Sequence, residues 1–156
     1  MSARKPPPPY QNRIHRLRDA MRAARLDGYL VQDRMDQFWL TGFTGESGSV
    51  LITQTAVVLL TDGRFDETAD IETPWARKVI RRKRTADETV RELRRAKVSR
   101  LGVDPDHTTL RTFTDLQKLA RPIRVVAASR MVTDLRLVKD ADEIARIRRA
   151  VEIAEG

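Results

Sequence analysis

Val50-Leu51-Ile52-Thr53-Gln54-Thr55-Ala56-Val57-Val58-Leu59-Leu60-Thr61 is the stretch on which the fold turns. Two runs rich in Val, Ile and Leu flank Gln54-Thr55 at the spacing of a β-hairpin. On the C-terminal side, Asp62-Gly63 breaks the second strand, Arg64 to Ile71 suits a helix, and Pro74 interrupts it. Ala76 to Arg81 reads as a strand, Thr85 to Ala96 as a helix capped by Thr85, and Arg100 to Val103 as a strand. Thr108 to Leu119 reads as a helix turning Leu110, Phe113 and Leu116 inward, and Arg124 to Ala127 as the closing strand. On the N-terminal side, Ile14, Leu17, Met21 and Ala24 recur at helical spacing, with Gly28 at the left-handed helix end and a strand over Tyr29 to Val31. Asp36 to Leu40 suits a short helix, and Gly42 to Gly48 a loop. Alternating strands and helices predict an α/β fold, a β-sheet flanked by helices, and the hairpin makes that sheet mixed.

The 156 residues fit one domain with a sizeable core. The absence of cysteine excludes disulfides, thiolate catalysis and Cys-ligated zinc. The longest apolar run, Ala56 to Leu60, has five residues, whereas a spanning helix needs roughly 20, so no membrane segment is expected. Prolines stand where a secretory leader would have its apolar core, and a cytoplasmic location is expected. Residues 1–9 read as a disordered, polyproline-like tail. At the other end, Asp140 and Glu143 form a capping-box pattern ahead of an apolar stripe, Ile144, Ile147, Val151 and Ala154, that needs a packing partner.

The charge is +8, from 30 basic and 22 acidic residues. Eleven basic residues against three acids between Arg77 and Arg100 carry as much by themselves. Within that stretch, Arg81, Arg82, Lys83 and Arg84 form a candidate polyanion patch, set against the plainer reading of a solvated strand end and helix face. No aromatic residue lies between Trp75 and Phe113, so base stacking from this segment is excluded and nucleic acid is not the expected partner. His15 and His107 lack a second ligand at metal spacing, and Asp104-Pro105-Asp106 reads as a turn. The Gly42 to Gly48 spacing matches neither dinucleotide nor P-loop patterns and leads into a strand, so it reads as a tight loop. Ser47 lacks the G-x-S-x-G context of a nucleophile. Phe38, Trp39 and Phe43 read as core or as a ligand-facing wall.

Three segments together resemble one known family. Phe38-Trp39-Leu40-Thr41-Gly42-Phe43 is similar to the aromatic-L-T-G-F signature of the creatinase/prolidase N-terminal domain of M24 Xaa-Pro aminopeptidases and Xaa-Pro dipeptidases. Leu60-Thr61-Asp62-Gly63-Arg64-Phe65 resembles the family's T-D-G-R-Y segment. Leu135-Arg136-Leu137-Val138-Lys139, with Glu143-Ile144 and Ile147-Arg148, resembles its L-R-x-x-K…E-I-x-x-[IL]-R linker.

The resemblance implies a ribonuclease-H-like α/β domain over residues 10–133, with 134–156 as linker and start of a helix toward a catalytic domain absent from this chain. In that absent domain two divalent metals, manganese or cobalt, are expected; this chain is expected to hold no metal or cofactor and to be inactive alone. The implied role is non-catalytic: homodimer or higher oligomer assembly, and shaping access of short proline-containing peptides to the cleft. The resemblance places Asp36, Phe38 and Trp39 near that cleft and makes Gly42, Asp62, Gly63 and Arg64 structural motif residues, with Arg64 paired to a carboxylate. The alternative is a stand-alone binding or pseudoenzyme domain whose segment 77–100 docks an acidic partner or nucleic acid.

Overall fold

The computed structural model describes residues 5–82 and 84–156; residues 1–4 of the tail and Lys83 of the basic run lie outside it. In chain order the elements are α1 (Tyr10–Ala23), β1 (Gly28–Val31), α2 (Arg34–Thr41), β2 (Gly48–Thr53), β3 (Val57–Thr61), α3 (Asp66–Glu72) and β4 (Arg77–Ile80). They continue as α4 (Thr85–Arg95), β5 (Arg100–Val103), α5 (Leu110–Leu119), β6 (Arg124–Ala127), α6 (Met131–Leu137) and α7 (Ala141–Glu155). The six strands form one sheet in the order β4-β3-β2-β1-β5-β6. β2 is antiparallel to both neighbours, β1 and β3, and the other pairings are parallel. Five strands therefore start at one end of the sheet and β2 alone starts at the other.

Because side chains alternate across a strand, the central strands β1, β2 and β3 each feed two cores. Tyr29, Val31, Val50, Ile52 and Leu59 pack with Ile14, Leu17 and Leu40 from α1 and α2. Leu30, Leu51, Val58, Leu60 and Leu101 pack on the opposite face with Val90 and Leu93 of α4 and Leu116 of α5. Burial on both faces explains why β2 and β3 read as continuous apolar runs. Among the described residues no helix is long and apolar enough to cross a membrane.

Three local expectations need correction. Gly28 is the first residue of β1, and the left-handed residue after α1 is Arg25, with φ 56°. Leu110 opens α5 on the solvent side and is 78% exposed, while Leu116 is buried. Thr85 does not cap α4: the N-cap position is Arg84, with no side-chain cap bond, and the Thr85 hydroxyl accepts a hydrogen bond from Arg81 Nη1. Where the proline-rich tail meets α1, the Gln11 and Arg13 N–H groups donate to the Pro7 and Pro9 carbonyls.

Candidate functional site

α2 positions the first cluster. Its N-cap, Asp33, accepts from the Asp36 N–H at 2.9 Å, and Gly42 ends it with φ 79°. A Cβ at Gly42 would lie 2.5 Å from the Tyr10 hydroxyl, so this position requires glycine. One turn into α2, Asp36 is buried and its Oδ1 accepts from Arg136 Nη1 of α6 at 2.7 Å. Burial pushes the Asp36 carboxyl up; the Arg136 hydrogen bond and charge pull it back only in part, and it stays above the ordinary carboxylate value.

Phe38 and Trp39 point different ways. Trp39 is buried, and its indole N–H donates to Glu143 Oε1 of α7 at 2.8 Å. The guanidinium of Arg13, from α1, lies 4.9 Å from the Trp39 ring centroid, a cation–π contact. Arg13 Nη1 donates to the Trp39 carbonyl at 2.8 Å and Nε to Asp140 Oδ2 at 2.8 Å. Asp140 and Glu143 close the expected capping box at the start of α7. Desolvation pushes the Asp140 carboxyl up, but hydrogen bonds from Arg13 and the Glu143 N–H outweigh it, and the group sits below its ordinary value. The first turn of α7 is thus tied to α1 and α2, while the rest of that helix buries no residue and its Ile147 is 52% exposed.

Phe38, by contrast, is 44% exposed. With Met35, Arg136, Leu137 and Glu143 it lines an open groove of about 360 Å³. Phe43, the third aromatic of the segment, is core, edge-on to Phe65 at 6.2 Å. Asp36 is engaged by Arg136, and Glu143 by Trp39 and the Asp140 N–H at 3.0 Å, so neither carboxylate stands free as a base. The corner is built to bind or pack through apolar rings between charged groups.

The remaining candidates lie elsewhere. Asp62 accepts from the Arg64 backbone N–H at 3.1 Å and from its Nε at 3.0 Å, closing a tight turn that includes Gly63. The Arg64 bond, helped by Ser47, holds the Asp62 carboxyl well below the usual range. Arg81 donates to Ser47 Oγ at 2.7 Å and lies 3.6 Å from Asp62; Arg84 lies 3.5 Å from Asp87; Arg82 is exposed. Arg77 pairs with the buried Glu92, and Lys78 with Asp66 and Asp70. The early half of segment 77–100 is therefore largely neutralised by its own neighbours. The expectation that His15 lacks a second ligand at metal spacing fails, since Asp19, four residues on along α1, lies 3.1 Å away; His107 follows a turn in which the Asp106 N–H donates to Asp104 Oδ1 at 3.0 Å. Among the described residues no group of three or more His, Asp or Glu is placed to hold a metal ion. The dimetal centre that the resemblance implies is expected in the other domain, and the described side chains offer no group that would hold it.

Sequence reasoning singled out Asp36 and Trp39 but not Arg13, whose partners lie 26 and 127 residues away. The capping-box residues were visible; their second role, receiving Arg13 and Trp39, has no local signature.

Residues 13–138 match the family described as the creatinase/prolidase N-terminal domain. An uncharacterized peptidase, YqhT, of Bacillus subtilis (strain 168) is 24% identical over 143 residues, covering 92% of this chain and 40% of that protein. A Xaa-Pro dipeptidase from Bacillus anthracis superposes with a TM-score of 0.81 at 27% identity, covering 87% of this chain and 38% of that one. The N-terminal domain of the cytoplasmic peptidase PepQ from Mycobacterium tuberculosis H37Rv gives 0.74 at 26% identity, covering 80% of this chain and 98% of that one. The chain spans about two-fifths of the length of the Bacillus proteins it matches.

Proposed function

This chain belongs to the creatinase/prolidase N-terminal domain family, and we propose that it serves as the non-catalytic N-terminal domain of a dimetal Xaa-Pro peptidase. The observation that carries this reading is its extent: it corresponds to nearly all of an isolated N-terminal domain of a relative but to 38% of a whole dipeptidase. In this role the corner of Asp36, Phe38, Arg136 and the first turn of α7 borders the cleft of the metal-bearing domain, restricting entry to short proline-containing peptides. The exposed stripe of α7, Ile144, Ile147 and Val151, seats against that second domain. Assembly as a homodimer or higher oligomer, and a cytoplasmic location, belong to the same proposal.

The metals, manganese or cobalt, would supply activated water and carbonyl polarisation in the catalytic domain. The test is to read the gene past the codon for Gly156 and assay its whole product against Xaa-Pro dipeptides and tripeptides with Mn²⁺ or Co²⁺. Cleavage by the whole product and none by residues 1–156 is expected. Cleavage by residues 1–156 alone, or an inert whole product, would sink the assignment.

A further inference from the structure

The excess charge gathers at the end of the sheet where β1, β5 and β6 begin. Four segments meet there through backbone and side-chain hydrogen bonds. The turn after α1 is joined to the turn before β5 by the Ser99 and Arg100 N–H groups on Asp27 Oδ2, at 3.0 and 2.9 Å. The β2–β3 turn reaches the same place: Gln54 accepts from Arg22 Nη1 at 3.0 Å. The start of β6 is tied in by the Arg124 N–H on the Ser99 carbonyl, 2.9 Å, and the end of α5 by Arg94 Nη2 on the Leu119 carbonyl, 3.0 Å.

Residues 22–27, 52–57, 94–100 and 118–124 hold nine basic side chains and one acid, Asp27, a net +8 equal to that of the whole chain. Among the described residues Arg25, Arg95, Lys97, Lys118, Arg121 and Arg124 are all exposed, and none appears in an ion pair with a carboxylate. Some of this charge complements the carbonyl ends of α1, α4 and α5, which terminate here. Residues past those ends are not needed for that. Arg25 and Lys97 even occupy the left-handed positions, φ 56° and 53°, where glycine would serve without strain.

The character of the surface selects its partner. The large exposed apolar residues, among them Met35, Phe38, Leu110, Ile144 and Ile153, all lie outside these four segments. A protein–protein interface needs an apolar centre depleted of charge, whereas nucleic-acid interfaces are polar and strongly basic. We propose that this end of the molecule docks the phosphate backbone of a nucleic acid without reading its sequence, since it offers no aromatic side chain for stacking. The surface is separate from Arg81, Arg82 and Arg84, which precede α4 at its other end.

Fluorescence anisotropy with a labelled random-sequence DNA duplex of about 20 base pairs, long enough to span several phosphates, is the test. Affinity should fall about 40-fold between 50 and 200 mM NaCl, the slope for roughly three neutralised phosphates. Arg121→Glu/Arg124→Glu and, independently, Arg95→Glu/Lys118→Glu should weaken binding at least about tenfold, and Arg82→Glu/Arg84→Glu should leave it unchanged. Absence of binding at 50 mM NaCl, or equal loss in all three pairs, overturns the proposal. So does competition by poly-aspartate as effective as that by unlabelled duplex, which would mark an acidic protein as the partner.

Discussion

Asp36 sets two opposing effects against each other at the scale of one residue: burial disfavours its charge, and Arg136 at 2.7 Å favours it. Burial wins, so the folded chain binds a proton at Asp36 more readily than the unfolded chain does. The stabilisation is fully present below the ordinary value of 3.8 and is lost as pH rises through the folded value. Asp36→Asn removes this dependence. The unfolding free energy of wild type minus that of the variant, from urea titrations, should therefore decline as pH rises above 3.8. A flat difference would mean that Arg136 cancels the burial penalty. The motif spacing pointed to this residue; it could not show that its partner lies 100 residues away.

For the elements, the instructive contrast is between the hairpin and α7. β2 and β3 were legible because apolar side chains on both faces and a two-residue gap are local facts. The capping box of α7 was legible too, but not what the box holds. Arg13→Ala removes the guanidinium that joins Trp39 to Asp140 and leaves a half-buried carboxylate unpaired, at a cost of about 3 kcal/mol. Asp140→Ala loses the N-cap, worth about 1 kcal/mol, together with the same ion pair. A double-mutant cycle by urea unfolding should give a coupling of about 1 kcal/mol or more. Additive losses would show that the two residues act separately. Similarly, Leu110 has helical spacing with Leu116 yet faces solvent, because it stands in the first turn of α5, beyond the edge of the sheet's core.

On the scale of the whole molecule, one sheet separates two cores, and both tryptophans, Trp39 and Trp75, belong to the same one. Leu40→Ala empties the tryptophan-bearing side and Leu93→Ala the other; each should cost about 2–5 kcal/mol. If the sheet couples its faces into one cooperative unit, tryptophan fluorescence and far-UV circular dichroism will report coincident transitions for both variants. A Leu93→Ala protein whose fluorescence transition stays at the wild-type midpoint while its dichroism shifts would instead reveal two separately melting layers. A mixed sheet flanked by helices followed from the pattern of strands and helices. The distribution of charge did not, because sequence proximity grouped Arg77 with Arg100 when topology puts the uncompensated cations from three distant segments together.

That grouping gives the protein a sense of direction at any charged boundary. On a sulfonated resin or freshly cleaved mica the strand-start end will face the solid, held by its exposed arginine and lysine side chains. The Phe38 groove and the first turn of α7 lie toward the far end of the sheet, where α2 starts, and will face the liquid. Adsorption would therefore array the chain with that corner uppermost and open to whatever is passed over it.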